Sequence, residues 1–84
     1  MPAEPPPEDT AARLFWLKAM AEEAYSQMYD APFGPPAAAR YSDAKEFLYD
    51  AIGLARRLGK EDEANRLSRR LDHIKAVFRS QFQG

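Results

Sequence analysis

Arg66, Arg69 and Arg70, with His73 three residues on, are the side chains of this sequence best suited to chemistry. Guanidinium groups hold phosphates or carboxylates through forked hydrogen bonds, so the cluster points either to nucleic acid or to an acidic protein segment. His73 is the only histidine, and its neighbours Arg69, Arg70 and Asp72 do not make a metal-ligand set. The sequence has no HExxH spacing and no glycine-rich phosphate loop, so His73 reads as a surface residue. Glu22 and Glu23 are adjacent and therefore about 100° apart on a helix, while Glu46 and Asp50 form a like-charged pair on one exposed helical face. Neither pair has the apolar surroundings that acid–base catalysis requires. The absence of Cys removes thiolate catalysis, disulfides and cysteine-ligated metals. These residues imply a non-catalytic binding protein with no cofactor or metal.

The elements that must position the arginines follow from the surrounding pattern. In LARRLGKEDEANRLSRRL (residues 54–71), Gly59 takes a helix-ending position, and Lys60, Glu61 and Asp62 form a tight link whose acids suit the positive end of the next helix. Ala64, Leu67, Leu71, Ile74, Phe78 and Phe82 then step by three and four, which predicts a helix over 61–81 with one narrow apolar stripe. Arg66, Arg69, Arg70 and His73 fall on or beside its exposed back. A first helix over 10–30 starts at Asp9 or Thr10, either of which can cap it, and carries the stripe Leu14, Leu17, Ala21, Ala24 and Met28. Phe15 and Trp16 lie off that stripe and are expected to cover the bundle end against Phe78, Phe82 or the proline tail; they and Tyr49 make the second candidate partner surface.

Between these two helices, DAPFGPPAAARYS reads as a connection of about ten residues, with Phe33 expected to anchor it in the bundle edge. The middle helix is expected over 42–59, its start marked by Asp43 and Glu46 at capping-box spacing. Ala44, Phe47, Leu48, Ala51, Ile52, Leu54, Ala55 and Leu58 give it an apolar arc broad enough for two neighbours. The expected fold is all-α: a three-helix bundle over 10–84, with the second and third helices as an antiparallel hairpin, preceded by a flexible proline-rich tail over 1–9.

The 84 residues carry a net charge of −1, with the signs divided along the chain. Through Ala55 there are four basic and nine acidic residues; from Arg56 there are eight basic and four acidic ones. Such halves can attract each other within an antiparallel bundle or leave an anion-binding surface. No apolar run approaches the roughly 20 residues that span a bilayer, and the start lacks the basic-then-apolar order of a signal peptide. A soluble cytoplasmic protein with no membrane partner is the expectation.

A DNA-reading helix-turn-helix requires apolar residues at fixed offsets after its glycine, yet Lys60 follows Gly59 directly and Asn65 stands six residues on. With an acidic first two-thirds and a pI near 5.8, nucleic-acid binding through the basic face of the third helix is the alternative function. In RYSDAKEFLYDAIGL, Tyr41, Ala44, Leu48, Ala51 and Leu54 resemble the second helix of a tetratricopeptide (TPR) repeat. Ala64, Leu67, Ser68 and Leu71 approximate the first helix of a following repeat, so the resemblance spans residues 41–71. The three-helix microtubule-interacting-and-transport (MIT) domain has a similar middle helix. The resemblance implies a protein-interaction module that binds an acidic or amphipathic segment of a protein partner, or pairs with itself as a homodimer.

Overall fold

The computed structural model describes residues 4–82 and contains three helices: α1 (Ala11–Asp30), α2 (Pro35–Arg57) and α3 (Glu61–Gln81). Thr10, not Asp9, caps α1: its extended backbone (φ −123°) lets its hydroxyl accept from the Arg13 N–H at 3.1 Å while donating to the Pro7 carbonyl at 2.7 Å. The helix ends where Ala31 turns extended just before Pro32.

The start of α2 corrects the expected boundary at 42. Gly34 is its N-cap, at φ 98° and ψ −144°, and Pro35 and Pro36 form its first turn. An α-helix leaves its first backbone N–H groups without intrahelical acceptors, so prolines there forfeit nothing and bring a φ already suited to the helix. The expected ten-residue connection therefore contracts to residues 31–34. Asp43 and Glu46 lie inside the helix rather than at a cap, and Asp43 instead takes the Arg40 guanidinium one turn away at 3.3 Å. Phe33 does not insert into the bundle edge: it is 75% exposed and meets Phe82 edge-to-face.

At the other end, α2 stops at Arg57, two residues short of the expected 59. Gly59 adopts φ 75°, and the Gly59 and Lys60 N–H groups return to the Arg56 and Ala55 carbonyls at 3.0 and 2.8 Å. This glycine-centred lock satisfies helix-terminal carbonyls and reverses the chain directly into α3, whose bounds match the expected ones.

Short links make α1 and α3 both antiparallel to α2, so they run parallel to each other. Helix α1 packs on α2 and α2 on α3. The main core joins Leu14, Leu17 and Ala21 to Leu48, Ala51, Leu54 and Ala55, and these to Ala64, Leu67, Leu71 and Ile74. Ala44, Ala51, Ala55 and Ala64 have no exposed surface, so small side chains set how closely the helices approach. A smaller core of Met28, Ala37 and Phe78 closes the far end. Among the described residues no polar side chain is fully buried, so apolar contact supplies the interior.

Candidate interaction surfaces

Two of the arginines on the back of α3 are bound to the protein itself. Arg70 grips Glu22 of α1 with two hydrogen bonds, Nε to Oε2 at 2.9 Å and Nη2 to Oε1 at 2.6 Å, and its guanidinium lies 4.9 Å from the centre of the Tyr25 ring. The Glu22 carboxylate raises the Arg70 pKa above its ordinary value. Arg66 bonds Glu63 one turn earlier at 3.0 Å, and Glu63 also receives the Lys18 ammonium from α1. The Lys18 hydrogen bond, reinforced by Arg66 and opposed by desolvation, lowers the Glu63 pKa. Burial and a 3.3 Å hydroxyl contact with Tyr29 push Tyr25 up to about 12. Lys18, Glu63, Arg66, Glu22 and Arg70 thus form a charge seam between α1 and α3. Arg69 and His73 remain exposed, without an ion pair among the described residues.

The structure does not join the candidate aromatics into one face. Phe15 is 73% exposed and lies beside Lys60, Glu61 and Arg66 at the start of α3. Because α1 and α3 are parallel, Phe78 and Phe82 sit at the opposite end of the bundle, and neither Phe15 nor Trp16 covers them. Trp16 instead meets Phe47 edge-to-face, with centroids 5.9 Å apart, and the Arg13 guanidinium lies 5.0 Å from its ring centre. Tyr49 is 53% exposed on α2, with the Lys75 ammonium 5.4 Å from its ring centre.

Sequence reasoning missed an aromatic cluster at the far end. Tyr41 stacks on Phe78 at 3.9 Å, Phe78 on Phe82 at 5.7 Å, and Tyr29 and Phe33 meet Phe82 edge-to-face at 5.6 and 5.3 Å. The four-residue spacings of Tyr25 with Tyr29 and of Phe78 with Phe82 were the available signal.

It also missed a groove of about 390 Å³ between α1 and α2 on the side away from α3. Met20, Glu23 and Gln27 line it from α1, and Asp43, Glu46, Phe47 and Asp50 line it from α2. Half-buried Phe47 carries the apolar floor on to Trp16. Four carboxylates line this groove against one guanidinium, that of Arg40, which already faces Asp43 at 3.3 Å and donates to Gln27 at 3.4 Å. Glu46 and Asp50 have no cationic partner among the described residues.

Compared with protein-family models, curated proteins and solved structures, the chain finds no match. Among the described residues, no group of three or more His, Asp or Glu is placed to hold a metal ion, and no helix is long and apolar enough to cross a membrane.

Proposed function

We propose that the chain is a non-catalytic protein-interaction module. The observation that carries this reading is the amount of aromatic surface left outside the core: Phe15 and Phe33 are each about three-quarters exposed, and Tyr29 and Tyr49 about half. Large aromatic side chains cost little conformational entropy when they are covered, which makes them effective anchors for a partner. The TPR-like reading of residues 41–71 draws support from Ala44 and Ala51, both without exposed surface where α2 meets its neighbours. A middle helix packed on both others is equally in keeping with an MIT-like bundle. A cysteine-free chain suits the reducing cytoplasm, where we place it.

The charge seam shifts the expected binding surface. Arg70 and Arg66 already hold Glu22 and Glu63, so an acidic segment would have to displace internal carboxylates; only Arg69 and His73 stand clear. Nucleic acid meets the same obstacle, together with repulsion from the acidic α1–α2 side. The test is affinity capture from the native host followed by reconstitution of each purified pair. A stoichiometric complex, or a homodimer in sedimentation, supports the reading. Submicromolar, sequence-dependent binding of duplex DNA at physiological salt, lost with Arg66→Glu, Arg69→Glu and Arg70→Glu, would replace it with nucleic-acid recognition.

A further inference from the structure

We propose that the groove between α1 and α2 is a docking site for a basic amphipathic helix of a partner protein. This rests on the interaction-module reading and names the partner's chemistry. The groove supplies both elements that such a helix recognises. Its floor is apolar and adaptable: Met20 has an unbranched, polarizable side chain, and Phe47, partly exposed, meets the ring of Trp16 edge-to-face just beyond the groove. Its α2 wall is a row of carboxylates, Asp43, Glu46 and Asp50, at steps of three and four residues, so they stack along one side of the helix. Glu23 faces them from α1. A helix lying along the groove would set apolar residues at i, i+3, i+4 and i+7 on the floor and Lys or Arg residues beside the carboxylate row.

Charge decides among the occupants. An acidic helix or a nucleic-acid backbone would bring further negative charge onto carboxylates of which only Asp43 has a cation, whereas a basic helix neutralises Glu46 and Asp50 on contact. The contrast with α3 is informative. Along its seam with α1, Arg66 and Arg70 are matched by Glu63 and Glu22; here carboxylates are left over beside an apolar floor.

The probe is a Lys/Leu peptide of about five helical turns, with Leu at the groove-facing spacing. A sibling peptide carrying Glu in place of every Lys keeps the same apolar face. The Lys peptide is expected to bind, to shift the amides of Met20, Gln27, Phe47 and Asp50, and to weaken as salt rises. The Glu46→Lys/Asp50→Lys double variant should bind it about tenfold more weakly, and Glu23→Lys on the other wall severalfold more weakly, while Arg69→Glu changes nothing. All of these side chains lie in water, so circular dichroism of each variant should match the parent.

Equal binding of the Glu peptide in the groove would overturn the proposal. So would Lys-peptide shifts confined to α3 or to the Phe33 end, failure of the Lys peptide to bind, or concentration-dependent shifts showing the groove filled by a second copy of the chain. In each of these cases the interaction-module reading still stands or falls on the reconstituted partner complex.

Discussion

The α1–α3 seam and the α1–α2 groove both border α1, yet they treat charge in opposite ways. Along the seam, Lys18 and Arg66 share the Glu63 carboxylate, and Glu22 and Arg70 complete each other. In the groove, Asp43 has Arg40, while Glu46 and Asp50 face water without a cation. Of the two ion pairs that join α1 to α3, Glu22–Arg70 follows the chain's division into acidic and basic parts and Lys18–Glu63 runs against it. The groove shows where the acidic part has no internal counterpart. Individual pairings, not the overall charge division, therefore tie α1 to α3, and the unmatched remainder marks the face proposed to take a partner.

The largest expected effect tests the packing that sets both regions. Ala51 has no exposed surface, so Ala51→Leu should overpack the junction and destabilise by about 1–3 kcal/mol in urea melts. A neutral result would mean that α2 is rotated and both regions are misdrawn. Gly53→Ala should stabilise by about 1 kcal/mol: its new Cβ would meet only the mobile end of Arg57, at 3.5 Å.

Within the seam, Glu63→Gln should cost about 1 kcal/mol at neutral pH, since the two cations it holds remain partly in water. Its lowered pKa gives the effect a sign. The stabilisation is present above the carboxyl's unfolded value and disappears as pH falls through the lower folded one, so parent and variant should converge in acid melts. A double-mutant cycle on Glu22 and Arg70 should yield a smaller coupling, about 0.5–1 kcal/mol, because both side chains are more than a third exposed. In the groove, Glu46→Gln and Asp50→Asn should change stability by less than about 0.5 kcal/mol. A seam-sized loss there would erase the distinction between the two regions.

The fold was legible where one signal had one meaning. Gly59 followed by acids marked the α2–α3 reversal, and the three-and-four stripe from Ala64 to Phe78 fixed α3. The start of α2 was obscured because Pro35 and Pro36 break a helix interior but open a first turn equally well, and only the backbone of Gly34 distinguishes the two uses. The arginine cluster was visible as a cluster. Its neutralisation was not, because Arg70 finds Glu22 48 residues away. The groove was harder still to foresee, since Met20 and Phe47 share it only once the relative rotation of α1 and α2 is known.

The two tight links also impose an order on folding. Each antiparallel pair, α1 with α2 and α2 with α3, joins segments that are neighbours in sequence, so its loop-closure cost is small. The α1–α3 salt bridges must close across both links and can form only after the two pairs have come together. They should consequently be weak in the transition state, so Arg70→Ala should leave the refolding rate nearly unchanged and steepen the loss of the native state, visible as a raised unfolding limb in stopped-flow chevrons. On this view the seam is a latch: it sets how long the bundle stays shut and has little effect on how fast it assembles.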